Sequence, residues 1–138
     1  VSARSKARKR ALDVLYAADA RGVDPSLVLG ERLADREAVP LGDYAEELVR
    51  GYAEHHDRID DLIAEHAEGW TLARMPAVDR SILRIATYEL AYRVDVPPAV
   101  AVDEAVELAK SLSTDNSPRF VNGVLGDIAL LASRLRRP

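Results

Sequence analysis

The chain has 138 residues, the length of one domain, and 48% of them are hydrophobic, enough for a core and incompatible with intrinsic disorder. It contains no cysteine, which excludes disulfide scaffolds, cysteine zinc sites and thiol nucleophiles. The net charge of −4 conceals an asymmetry: residues 1–10 carry Arg4, Lys6, Arg8, Lys9 and Arg10 and no acid, whereas the rest holds 14 Lys/Arg against 23 Asp/Glu. A basic arm on an acidic body points to an anionic ligand at one end and a different contact elsewhere. The longest aliphatic run, Ile128 to Ala132, is far too short to cross a bilayer, so no membrane partner is expected. The stretch after the arm, ALDVLYAADA, is interrupted by Asp13 and Asp19 and is too polar for a secretory leader. The expectation is a cytoplasmic protein.

In chain order, the first predicted helix runs from about Ala3 to Ala20, with Ala7, Ala11, Val14, Leu15 and Ala18 on one stripe. It ends before Gly22. Asp24–Pro25 starts a short helix to about Arg36, and Val39–Pro40 separates it from the third helix. In that third helix Leu48, Val49, Tyr52, Ile59, Leu62 and Ile63 keep helical spacing from Asp43 to His66, and Gly69–Trp70 marks the end. After a short piece at Leu72–Arg74, Met75–Pro76 opens a helix with so broad an apolar face that it suits the most buried position of a bundle. Val96-Pro97-Pro98 forms a corner before the helix of Ala105, Val106, Leu108, Ala109 and Leu112. Val100–Val102 is the sole strand candidate. Ser117–Pro118 reads as an N-cap and first turn, and the last helix carries apolar positions to Leu131. The expected fold is all-α: one domain over residues 1–138, with six to seven helices joined at prolines.

The ordered set VDRSILRIATYEL from Val78, then Asp95-Val-Pro, DEAVELAK from Asp103, and SPRFVNGVL from Ser117 resembles the NusB family of bacterial transcription antitermination factors. The arm and the Leu15–Tyr16 pair fit as well; residues 20–70 match only as amphipathic helices. The resemblance implies two packed helical sub-bundles, about residues 3–70 and 71–138. It implies binding of single-stranded boxA RNA together with a small-subunit ribosomal protein acting as NusE. The pair then joins RNA polymerase with other Nus factors on ribosomal RNA operons. The same domain also begins certain ribosomal RNA cytosine methyltransferases. That alternative is disfavoured by the lack of a Gly-rich cofactor loop and a cysteine nucleophile, so no enzyme and no cofactor are expected.

Several residues are candidates for these contacts. Lys6, Lys9, Asp13 and Tyr16 lie opposite the alanine stripe, flanked by Arg4 and Arg8. Cations neutralise phosphates and a neighbouring phenol ring stacks on a base. The basic arm Arg4, Lys6, Arg8, Lys9 and Arg10, with Tyr16, is therefore the first expected RNA contact. Asn116 and Phe120 are the second. Asn116 offers amide groups, Phe120 reads as a stacking ring or as core, and the start at Pro118 offers free N–H groups to an anion. The resemblance places RNA on both residues. Asn122 reads as structural. Asp79 suits the positive end of its helix, and the resemblance places the ribosomal-protein partner on this side. His55 and His56 point about 100° apart on a helix and do not form a metal set with His66. Gly123-Val-Leu-Gly126 reads as close helix packing, not an RNA-binding glycine loop. The alanine-rich first helix also offers a face for a homodimer that would bury the arm.

Overall fold

A computed structural model describes residues 2–137. The first residue of the arm and the last residue of the chain lie outside it. The described residues form seven α-helices and no strand: α1 (Ala3–Arg21), α2 (Pro25–Ala34), α3 (Asp43–His66), α4 (Ala77–Tyr92), α5 (Pro98–Leu112), α6 (Ser117–Ala129) and α7 (Ala132–Leu135), with a 3-10 turn at Leu72–Arg74.

Local chemistry sets the ends of these elements. The Ser2 hydroxyl accepts from the Ser5 N–H at 3.0 Å and caps α1. Gly22 closes α1 in the left-handed region, at φ 65°, where its N–H reaches the carbonyls of Ala18 and Asp19. The Asp24 carboxylate caps α2 by accepting from the Ser26 N–H at 2.8 Å. α3 is kinked at His55, whose ring stacks on Tyr92 with centroids 4.0 Å apart. Three boundaries differ from expectation. α2 stops at Ala34, two residues early. Val100–Val102 is helical, because Pro98 sits in the first turn of α5. The last helix breaks after Ala129, leaving α7 as a separate turn.

α1, α2 and α3 pack on one another, as do α4, α5 and α6, and α4 also packs on α1, α3 and α7. One hydrophobic cluster runs through all of them, from Ala7 to Ala132. α4 is buried on nearly every face, with Ile82, Leu83, Ile85 and Leu90 each at most 2% exposed. Ion pairs fix the directions. Arg8 meets Glu89 at one end of the α1–α4 pair and Asp19 meets Arg80 at the other, so the two helices run antiparallel. α5 returns alongside, with Glu104 beside Arg8 and Ser113 beside Asp79. The Arg136 guanidinium donates to the carbonyls of Glu89, Leu90 and Val96 and satisfies the end of α4.

Two expectations are corrected by this packing. The alanine stripe of α1 is consumed by the protein's own core: Ala7, Ala11, Val14, Leu15 and Ala18 are all buried, so it offers no face to a second copy. Gly123 and Gly126 do not mediate close packing, since a Cβ added at either would meet nothing within 4 Å.

Candidate nucleic-acid and partner interface

On α1, Lys6, Lys9, Asp13 and Tyr16 share one solvent face. Lys9 pairs loosely with Asp13 at 3.7 Å, both side chains about half exposed. Among the described residues, no carboxylate pairs with Lys6 or Arg10. Tyr16 keeps 45% of its surface in solvent beside these cations. Arg4 is partly engaged: it donates to Asp95 at 2.9 Å and stands 4.3 Å from the centre of the Tyr44 ring. Hydrogen bonds from Arg93 and Arg4 hold the Asp95 carboxyl well below the usual carboxylate range.

Arg8 is corrected. Only 3% exposed, it points into the protein. Its guanidinium forks onto Glu89 through Nε and Nη2 at 3.0 and 2.9 Å, and Nη1 reaches Glu104 at 3.1 Å. Burial opposes its charge, but the hydrogen bonds and charge of Glu89 outweigh that, and its pKa is raised. A guanidinium so enclosed presents no face to a phosphate. The helix places residue 8 one turn before the buried Ala11 and Leu12, which turns its side chain inward.

At the other end of α4 lies an open groove of about 480 Å³, lined by Trp70, Asp79, Asn116, Ser117, Arg119 and Phe120. The Trp70 and Phe120 rings adjoin with centroids 6.0 Å apart and planes tilted by 59°. Asn116 and Asn122 are exposed, and Phe120 is half-buried against the core. Asp79 is corrected in part. It sits in the first turn of α4 as expected, but is 2% exposed and so lies beneath the surface. Its carboxylate accepts from the Ser113 hydroxyl at 2.5 Å and the Ser117 hydroxyl at 2.9 Å. Ser117 is therefore not the cap of α6; Asn116 holds that position, with no side-chain bond to the helix. The free N–H groups expected there are also reduced. Ser117 N–H bonds to Thr114 and Phe120 N–H to Asn116, and Pro118 has none.

Tyr16 and the arm are thus brought together, as are Asp79, Asn116 and Phe120. The arm lies at the Glu89 end of α4 and the groove at the Asp79 end, ten residues or about 15 Å of helix apart, with Tyr16 further along α1 toward the Asp79 end. Sequence reasoning missed Trp70, taken only as a helix end, and Arg119, exposed at the groove rim. The lone tryptophan and the arginine next to Phe120 were the signals that could have found them.

The fold and the sequence match known proteins over most of the chain. The model of the NusB family matches residues 5–130. The chain belongs to the NusB family. It is 61% identical over 137 residues to the transcription antitermination protein NusB of Saccharopolyspora erythraea, covering 99% of this chain and 93% of that protein. A solved T. maritima NusB superposes with a TM-score of 0.79 at 38% identity, covering 94% of this chain and 92% of that one. A structure of the antitermination factors NusB and NusE in complex with dsRNA is similar at a TM-score of 0.79 and 30% identity, covering 92% of this chain and 96% of that one. At the level the family establishes, the chain is a transcription antitermination factor, and the S. erythraea relative is named as such a factor rather than as an enzyme. Among the described residues, no helix is long and apolar enough to cross a membrane.

Proposed function

We propose that this protein binds boxA-type single-stranded RNA together with a ribosomal protein acting as NusE, and that the pair joins RNA polymerase with other Nus factors to keep ribosomal RNA operons transcribed. The observation that carries the reading is the solvent face of Lys6, Lys9 and Tyr16, two cations with a half-exposed ring in register. That combination suits a single strand, whose phosphates take the cations and whose unstacked bases take the ring. Arg4 and Arg10 extend it. The relative solved with NusE and dsRNA supports both classes of partner.

The second contact is the groove of Trp70, Asn116, Arg119 and Phe120. Asn116 offers its amide to a base edge and Phe120 its half-buried ring, while the acidic remainder of the chain suits a basic protein partner. Asp79 serves that partner from beneath, through a carboxylate held by Ser113 and Ser117. Charge reversal there would bury a lysine and unsettle the bundle, so Asp79→Asn is the better probe.

Calorimetric titration of the ribosomal protein into this protein, with and without boxA RNA, tests the reading. The expected coupling is about 1–3 kcal/mol and must be equal in both directions. A duplex of the same sequence should bind more weakly than the single strand. Equal affinity for both, or no coupling, would overturn the assignment. The methyltransferase alternative gains nothing from the relatives: the match spans 93% of the S. erythraea protein, leaving no room in it for a catalytic domain.

A further inference from the structure

Three elements meet at one buried carboxylate, and a fourth joins them through Arg8. Glu89, in α4 and 0% exposed, accepts both prongs of Arg8 from α1 and the phenol of Tyr44 from α3. Arg8 also reaches Glu104 on α5, which accepts from the Ser5 hydroxyl at 2.5 Å. One turn outward, Arg4 bridges Asp95 and covers the face of Tyr44. Of residues 3–10 only Ala7 and Arg8 are buried, so the contacts that tie the first two turns of α1 to the body are mostly polar and directional.

Such a cluster is a poor source of stability. Desolvating the charges offsets most of their attraction, and buried ion pairs are often replaceable by apolar groups without loss. It is a good source of orientation. A bidentate Arg–carboxylate pair holds one rotational setting of the helix, whereas the small side chains of Ala7 and Ala11 tolerate several. The setting it holds turns Lys6 and Lys9 to solvent in register with Tyr16.

From this we infer that the Arg8–Glu89–Glu104–Tyr44 cluster is a positioning latch. Arg8, although part of the basic arm, touches no RNA. It holds the arm's outward face ready for RNA and spares the ordering cost at binding. The inference rests on the RNA reading proposed for this face.

Two measurements separate the latch from that reading. The first needs no RNA. In an Arg8→Met/Glu89→Gln variant the buried Arg8–Glu89 charge pair leaves together, the part-exposed Glu104 keeps the Ser5 hydroxyl, and an amide oxygen still accepts from Tyr44. Amide hydrogen exchange across residues 3–10 should speed up at least tenfold, with α6 unchanged. Unchanged exchange in the arm would overturn the latch whatever RNA does, and so would exchange raised equally throughout, since that reports general destabilisation.

The second is the salt dependence of boxA RNA binding. Wild-type protein must first bind; a failure there is a failure of the RNA reading and leaves the exchange experiment to decide the latch. Loss of positioning lowers affinity without changing the phosphates finally neutralised. If the binding-ready setting falls to about a tenth, affinity falls about tenfold at every salt concentration. The slope of log affinity against log salt stays as in wild type. A slope shallower by about 0.7 would mean that Arg8 neutralises a phosphate itself, and the latch would be wrong. Unchanged affinity and slope would equally sink it. Arg8→Lys, which keeps the charge without the fork, guards against misfolding of the double variant. It should show an intermediate loss at constant slope, and a wild-type affinity would overturn the role given to the fork.

Discussion

At the residue scale, the basic arm divides into cations that face solvent and one that does not. Lys6→Ala/Lys9→Ala should flatten the salt slope of RNA binding by about 1.4, two single-strand phosphates at about 0.7 each, with helix content unchanged because neither side chain enters the core. Tyr16→Ala should cost about 1–3 kcal/mol of RNA affinity, read by fluorescence titration, with little change in thermal stability, since the ring stands outside the core cluster. Two other phenols are structural and carry a pH signature. Burial, then the charge and hydrogen bond of Glu89, raise the pKa of Tyr44. Burial raises that of Tyr52 as well, with Asp60 adding to it against Arg84. A raised folded-state pKa means that the stabilisation is complete below the free phenol value of about 10 and is lost as pH climbs through the folded value. Melting temperature should therefore fall above about pH 10, and Tyr44→Phe should lessen that fall. A flat alkaline profile would contradict both assignments. The inward turn of Arg8 follows from its place on the helix wheel beside Ala11 and Leu12. Its acceptors, Glu89 and Glu104, lie 81 and 96 residues further along the chain, so the sequence does not announce the pairing.

At the element scale, glycines in helices report how closely the helices approach. Gly51 of α3 lies against the ring of Tyr88 on α4, and a Cβ there would sit 2.2 Å from a ring carbon. The ring is buried and stacks on Tyr92 with centroids 5.6 Å apart, so moving it aside would cost that packing. Gly51→Ala should destabilise by about 1–3 kcal/mol in urea melts, overpacking outweighing the better helix propensity. Gly30 in α2 and Gly123 in α6 have nothing within 4 Å of an added Cβ. Gly30→Ala and Gly123→Ala should each stabilise by about 0.4–1 kcal/mol through a less flexible unfolded chain. Destabilisation by Gly123→Ala would indicate a close packing contact that the structure lacks. The helices themselves were legible from apolar spacing, the prolines and the Asp24–Pro25 start. The glycine pair Gly123 and Gly126 was not, because a GxxG spacing looks the same whether or not a helix lies across it. Val100–Val102, too short for a convincing strand and set at a helix entrance, joins α5 because Pro98 opens its first turn and an amphipathic run comes next.

At the scale of the whole molecule, the basic arm and the Asp79 groove sit at opposite ends of α4, joined by one core and by Arg80 and Arg84. These arginines bind Asp19 of α1, and Arg84 also binds Asp60 of α3. Removing the charge of Asp79 as Asp79→Asn should weaken partner binding with little effect on intrinsic RNA affinity, and Tyr16→Ala should do the reverse. Parallel isothermal titrations of both variants against both ligands would expose equal damage to both bindings, the result that would deny two separable surfaces. The sequence by itself determined the all-α fold, most helix boundaries, the central place of α4 and the family, because each rests on spacing or order along the chain. It also marked the arm, Tyr16, Asn116 and Phe120 as candidate contacts. Tertiary structure alone decided that Arg8 is enclosed, that Asp79 lies beneath the surface, that the alanine stripe serves the protein's own core, and that Trp70 and Arg119 complete the groove. Those outcomes depend on which residues of α3, α4, α5 and α6 arrive opposite a given side chain. A charge on a helix is indifferent between solvent and a buried partner until folding brings that partner within hydrogen-bonding distance.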